Sequence, residues 1–300
     1  MERRRARPRP SMQGRQHNAS PVSYEYLHIP SEIYQTSAFP AAVVPNLLGN
    51  VNRGFSMHLY TDEQARQFMA THFGSAAAAA FEKLSGPNKG DMFRYAVLYV
   101  RGGLCLDIKT MGYTPLNLVF PNMTDKLTLY TVLSSVNSHG RWIHNGIIAA
   151  PPRHPLIWEQ FHYTWGLASR RHQTHDTVLH MMASLQHYFG RLQYGGVYEA
   201  RGMRLVLFQE ECDRVLNHTN VNHSSPICRL TRHRDRYGKC CAIFGTNDTT
   251  KAPLFLTRDP TYPRGWDARM KQMGLQYTYA SVSCTSDPDQ PGCMTNQTAV

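Results

Sequence analysis

The sequence predicts an α/β fold: a mostly parallel, Rossmann-like sheet flanked by helices, with a loop-rich, cysteine-containing C-terminal extension. Three observations carry this. Strand and helix patterns alternate with short connections in the first half of the chain. The stretch Asn88 to Thr110 reads as a helix, a tight glycine turn and a buried strand ending in charge. And 300 residues, 42% hydrophobic and 18% charged, suit one globular α/β domain with or without an extension.

Residues 1 to 22 are rich in Arg, Pro and Ser and read as a disordered basic tail, either inert or used for targeting or anionic-surface binding. A short strand enters the fold at 27–36. Residues 40 to 54 carry Pro40, Pro45, Gly49 and Gly54 and read as a loop. Phe55 to Tyr60 alternates as a second strand. Thr61-Asp62-Glu63 then opens a helix to about His72, because Thr or Asp caps free backbone N–H groups. Ser75 opens another, with Ala76 to Ala80 as strong helix formers.

From Lys89 to Arg101, Phe93, Ala96, Val97 and Val100 form one apolar helix face. Gly102-Gly103 stops the helix, since glycine takes left-handed backbone angles without a Cβ clash. In the strand Leu104 to Ile108, Leu104, Leu106 and Ile108 point one way, while Cys105, Asp107 and Lys109 point the other. A strand that delivers a carboxylate at its C-terminal end matches the place where open α/β sheets bind ligands. On the helix, Asp91, Arg94 and Tyr95 stand at i, i+3 and i+4, away from the apolar stripe. By spacing alone, Asp91 and Arg94 make a surface ion pair worth about 0.3–0.5 kcal/mol.

Downstream, Leu127 to Leu133 reads as a strand and Trp142 to Ala149 as an apolar stretch with Asn145-Gly146 at its centre. A glycine there suggests close approach of a ligand or another backbone. Pro155 to Leu167 reads as a helix with Trp158, Phe161 and Trp165 toward the core. Thr174 to Phe189 is a helix with Val178, Met181, Met182, Leu185 and Phe189 as its stripe. Residues 196 to 208 read as one or two strands. The organisation is a tail at 1–22, an α/β domain at 23–210, and an extension at 211–300 that is partly β and able to pack on the same domain.

The string D-x-x-R-Y-x-x-L-Y-x-x-G-G-x-x-x-D, from Asp91 through Asp107, resembles the sugar-binding core of the DXD-containing glycosyltransferases. This family 32-like group takes in fungal Golgi α-mannosyltransferases, capsular polysaccharide transferases and, more distantly, clostridial glucosylating toxins. Ile33-Tyr34-Gln35-Thr36 resembles the family's opening strand, and Asn145 to Ala149 followed by His154-Pro155 resembles its second conserved block. The resemblance implies a GT-A fold and transfer of a hexose from a nucleotide-sugar donor to a glycan or other hydroxyl acceptor, with retention. It implies Asp107 as ligand to a Mn²⁺ or Mg²⁺ ion, Asp91 and Arg94 as donor-sugar and diphosphate contacts, and Asn145 on the donor or acceptor side. It places Tyr34 and Gln35 where the nucleotide base packs, although Tyr34 and Gln35 also suit the core.

Three departures stand out. Lys109 occupies the position of the second Asp of the motif. A charged Lys cannot ligate a metal but can contact the diphosphate as a point charge; the other reading is an Asp107–Lys109 pair with no ligand. Cys105 stands where the family has tyrosine. Leu167 to Thr177 lacks the family's Thr-Gly-Pro segment.

Net charge is +11 with pI near 9.4, which favours polyanionic partners: nucleotide diphosphates, acidic glycans, nucleic acid or a membrane surface. Nucleic acid is not expected, because no basic–aromatic interleaving or known module occurs. No transmembrane helix is encoded. Six of the seven cysteines follow residue 211, an arrangement that suits a disulfide framework. Six N-x-S/T sequons, beginning at Asn18, Asn122, Asn217, Asn222, Asn247 and Asn296, lean the same way, toward a Golgi or lumenal rather than cytoplasmic setting. His172, His175 and His180 cluster without zinc-like spacing. The alternative to an active transferase is a catalytically inactive relative that binds nucleotide-sugar or glycan.

Overall fold

A computed structural model describes residues 27–36, 54–107, 110–112, 114–121, 124–134, 142–168, 176–214, 239–245 and 253–257. The basic tail, Lys109, the six sequon asparagines, and Cys228, Cys284 and Cys293 lie outside the described residues. In chain order the elements are β1 (Glu32–Thr36), β2 (Ser56–Tyr60), α1 (Asp62–Phe73), α2 (Ser75–Lys83), α3 (Gly86–Arg101), β3 (Gly103–Leu106), β4 (Thr110–Gly112) and α4 (Leu116–Val119). Then come β5 (Leu127–Ser134), β6 (Trp142–Ala150), α5 (Pro155–Leu167), α6 (Asp176–Phe189), β7 (Gly196–Ala200), β8 (Met203–Arg214), β9 (Lys239–Phe244) and β10 (Pro253–Thr257).

Among the described residues ten strands form one sheet in the order β2-β1-β3-β6-β5-β8-β9-β10-β4, with β7 pairing on β8. The sheet is mixed, which corrects the expectation of mostly parallel strands. Three pairings are parallel, β1 with β2, β1 with β3 and β5 with β8, and six are antiparallel. The reason is connection length. A parallel neighbour needs a crossover of about a dozen residues or more, and only residues 135–141 separate β5 from β6. The turn from β7 to β8 is shorter still: Arg201 at φ 53° and Gly202 at φ 78° make a two-residue turn with positive φ at both central positions, which forces a hairpin.

The sheet also curls. β3 and β4 are separated by residues 107–109 in the chain but by six steps in the strand order. Six steps in a flat sheet would span about 29 Å, whereas Leu106 to Thr110 reaches about 15 Å at most. The far edge must therefore come round to meet the middle. One row of the curl runs Cys212, Cys241, Thr257, Thr110 through three successive registers, and Cys212 and Cys241 are joined by a disulfide.

Both sheet faces are covered. Leu104 and Leu106 fall in one core cluster with Phe120, Tyr130, Phe208 and Phe255, and Cys105 falls in the other with helix residues Phe68, Phe93, Tyr95, Ile157 and Phe161. The alternation expected at β3 is therefore present. α1 begins with a full capping box, Thr61 Oγ1 accepting from Gln64 N–H and the Gln64 side chain accepting from Thr61 N–H. Trp158 departs from its expected core position and is 36% exposed, because Ile157 and Phe161 take the inward face of α5. Among the described residues no helix is long and apolar enough to cross a membrane.

The α3–β3 turn needs glycine. Gly102 sits at φ 69°, and a Cβ there would lie 2.6 Å from Pro152 Cδ and 2.7 Å from its nitrogen. Gly102→Ala combines a left-handed backbone with a clash against proline backbone. It is expected to lower unfolding free energy by about 2–4 kcal/mol in urea titrations.

His154 caps α5. Its Nδ1 accepts from Leu156 N–H at 3.3 Å, and the ring is fully buried with Nε2 lacking a hydrogen-bond partner among the described residues. Burial pulls its pKa down to about 3. A depressed histidine contributes stability that is present above its unfolded pKa near 6.5 and is lost as pH falls toward 3. As pH falls from 6.5 to 5, the loss of stability from this group should steepen toward about 1.4 kcal/mol per pH unit. His154→Asn keeps an acceptor at the cap but cannot titrate, so it should flatten the slope in paired melts; an unchanged slope would refute this assignment.

Candidate functional site

Asp91, Arg94, Asp107 and Asn145 meet at the C-terminal end of β3. Helix α3 supplies the first two from one turn, and the Gly102-Gly103 corner folds β3 back so that Asp107 faces that turn. The main chain at Asp107 is fixed on both sides: its N–H donates to Gly146 O at 2.8 Å, and its carbonyl accepts from Thr110 N–H at 2.8 Å and from Gln35 Nε2 at 3.5 Å. β6 delivers Asn145 by pairing antiparallel with β3, with Leu106 opposite Ile147.

Arg94 bridges the cluster. It donates from one terminal nitrogen to Asp91 Oδ1 at 3.1 Å and to the Asn145 carbonyl, and from the other to Asp107 Oδ1. Asn145 Nδ2 donates to Asp91 Oδ1 at 2.8 Å and to Tyr95 Oη at 3.5 Å. The opposite face of Asp91 is held by Thr177 Oγ1, at 2.5 Å from Oδ2. Spacing alone gave Asp91 and Arg94 a surface reading; the structure corrects it. Their side chains are 12% and 11% exposed, against 25% for Asp107. Tyr95 is fully buried, because α3 is covered by α5 and α6 and has little solvated face.

Burial pushes the Asp91 carboxyl above the ordinary carboxylate range, while Arg94, Thr177 and Asn145 oppose the shift. Burial pulls on Arg94 in the opposite sense, but Asp107 and Asp91 together outweigh it and hold the guanidinium charged. Cys105, on β3 with its Sγ 3.7 Å from the Arg94 carbonyl, is pushed up to about 12 by burial, so it stays a thiol.

Gly146 has its reason here. A Cβ on it would lie 2.9 Å from Asp107 Oδ2 and 2.7 Å from His144 Nε2. The space above the glycine thus holds the carboxylate and an imidazole, a close approach made by the chain's own side chains.

Tyr34 and Gln35 both stand on β1. Tyr34 is 2% exposed and stacks on His58, with ring centroids 5.3 Å apart; the His58 imidazole in turn pairs with Glu32. Gln35 reaches the cluster through the Asp107 carbonyl. Lys109 lies outside the described residues. Two participants were missed by sequence reasoning: Thr177, which is 86 residues from its partner, and His144. Thr177 carried only the faint signal of a hydroxyl at the start of α6.

A divalent ion would find one suitable carboxylate here. Both oxygens of Asp91 accept protein hydrogen bonds, whereas Asp107 is the more exposed acid. A single carboxylate with phosphate oxygens completing the shell is a common arrangement for Mg²⁺-type ions.

No protein-family model matches the chain, and no curated protein matches it. Among solved structures it is similar to the PaToxG glycosyltransferase, at 14% identity and a TM-score of 0.38, over 53% of this chain and 70% of that one. A likeness of that size assigns neither activity nor site residues.

Proposed function

We propose that this chain is a GT-A-type glycosyltransferase that moves a hexose from a nucleotide-sugar donor to a glycan or other hydroxyl acceptor, with retention. The observation that carries the reading is the convergence of Asp91, Arg94, Asp107 and Asn145 at the carboxyl end of β3, beside the parallel strands β1 and β2. That end is where open α/β sheets place ligands. The same residues carry the resemblance to the family's sugar-binding core and second block in the sequence.

Transfer breaks the bond between the sugar's anomeric carbon and the diphosphate oxygen and forms one to the acceptor oxygen, whose proton leaves. In this reading Asp107 is the group turned toward the substrate, as the most exposed of the three charged side chains. In this reading Asp91 and Arg94 contact the donor sugar and diphosphate, and Arg94 fixes the two carboxylates relative to each other. Asn145 clamps Asp91 from β6. Lys109 supplements the charge on the diphosphate. Tyr34 and Gln35, 2% and 4% exposed, support the nucleotide's position from within the core rather than flank it. A Mn²⁺ or Mg²⁺ ion on Asp107, when bound, would neutralise the departing diphosphate. The disulfide-linked strands fit a lumenal setting, where thiols oxidise.

One observation favours the second reading, a binding protein without turnover: Asp107 Oδ1 is already engaged by Arg94. An assay of nucleotide release from UDP- and GDP-sugars, with chelator and with added Mn²⁺, separates the two. Metal-stimulated release supports the transferase. Binding of a nucleotide-sugar with no release under either condition supports the inactive relative, and neither binding nor release overturns both.

A further inference from the structure

Among the described residues the buried acid that forms no ion pair is Glu210, on β8, three steps from β3 in the strand order. It is 7% exposed and its carboxylate accepts from Ser134 Oγ at 2.5 Å. Among the described residues no Lys, Arg or His forms an ion pair with it. Buried carboxylates are ordinarily paired with a cation or placed on a metal. Two residues further along the same strand, and so on the same sheet face, stands Cys212, and directly opposite Cys212 in the antiparallel register stands Cys241. One carboxylate oxygen of Glu210 and the two sulfurs all lie within 4.8 Å of one another.

We propose that Glu210, Cys212 and Cys241 form a redox-gated site for a thiophilic divalent cation, with Zn²⁺ the best match. In the oxidised protein the two sulfurs are spent on each other, and a disulfide sulfur is no match for a thiolate as a ligand. A dithiol reductant delivers two electrons and two protons. It cleaves the S–S bond to two thiols and leaves as its own cyclic disulfide. Zn²⁺ then displaces both thiol protons and takes two sulfurs and one oxygen, a donor set that zinc accepts, with water in the fourth place. The ion offsets the two thiolates, ligates the buried carboxylate so that its single negative charge is shared over the site, and holds β9 against β8 in place of the covalent bond. Ser134, hydrogen-bonded to the acid, orients it as outer-shell partners of metal ligands do. The proposal is independent of glycosyl transfer, because none of these residues touches the Asp91–Arg94–Asp107 cluster in the described contacts.

The test uses the full chain, reduced with a water-soluble phosphine and stripped of metal. Zn²⁺ affinity is measured by competition with a chromogenic chelator, and Co²⁺ substitution reports thiolate ligation through its charge-transfer band. The reduced protein should show one more tight equivalent than the oxidised protein. That equivalent should disappear in the Cys212→Ser/Cys241→Ser protein. In Glu210→Gln, which keeps the fold contact to Ser134, it should weaken by about tenfold or more, since even an outer-shell change costs that much. Far-ultraviolet circular dichroism identifies any variant that has unfolded, and the Glu210→Gln comparison then decides. Retention of the equivalent in the double serine variant overturns the site, and so does unchanged affinity in Glu210→Gln.

Discussion

Asp107→Asn is expected to leave the fold standing and to lower nucleotide-sugar turnover by about 10²–10³-fold, the usual loss when one preorganised electrostatic group is removed from a transition state. The two halves of the expectation have separate causes. The fold survives because the position of residue 107 is set by its own main chain, through Gly146 and Thr110. An asparagine oxygen can also still accept from Arg94. Activity falls because the amide carries no charge, so it neither holds a divalent ion well nor balances Arg94. The measurement is nucleotide release under saturating donor, beside thermal melts of both proteins. Unchanged turnover in a folded Asp107→Asn protein would remove this side chain from the chemistry. A large drop in melting temperature would show that its structural role had been underestimated.

The largest stability effect is expected at Arg94. Arg94→Met removes the cation that bridges both carboxylates, from a site where Asp91 is 8% exposed. Breaking a buried ion pair by deleting one partner typically costs about 3–5 kcal/mol, and the Asn145 carbonyl loses its donor as well. The pH dependence gives this prediction a signature. Burial already raises the Asp91 pKa, and Arg94 is the strongest group opposing that shift. Without Arg94 the folded pKa rises further. A carboxyl raised in the folded state contributes stability below its unfolded pKa, near 4, and loses it as pH rises through the folded pKa. The deficit of Arg94→Met should thus be greatest at pH 7 and narrow as pH falls toward 5. The His154 contribution runs the other way with pH but is common to both proteins and cancels in the difference. A deficit that is constant or grows on acidification would contradict this account.

The site was legible in the sequence to the extent that it is local. Asp91 and Arg94 are neighbours on a helix by periodicity, and two glycines followed by an alternating strand bring Asp107 back toward them. Those relations need only the pitch of a helix and the pleat of a strand. Burial was not legible, because the face that carries Asp91 and Tyr95 lacks the apolar stripe that marks a core side; α6 covers it instead with Thr177 and Met181. Thr177 could not be found by pattern, since its partner is set by tertiary packing across 86 residues. Strand direction was misjudged for a different reason. The parallel expectation rests on the alternation of strands and helices in the first half of the chain, whereas β5 and β6 are joined by seven residues (135–141), too few for a parallel crossover. Leu104 and Cys105, which fall on opposite faces of β3 and into different core clusters, show the pattern reading at its best.

The curl of the sheet sets a timetable for synthesis. Thr110, which tethers Asp107, is itself zipped to β10 through Thr257. The nascent chain therefore carries Asp91, Arg94 and Asp107 for well over a hundred residues before the strand that closes behind them leaves the ribosome. On the ribosome the helix–turn–strand unit can form early, but its last main-chain anchor waits for β10, so the cleft matures only after Thr257 has emerged.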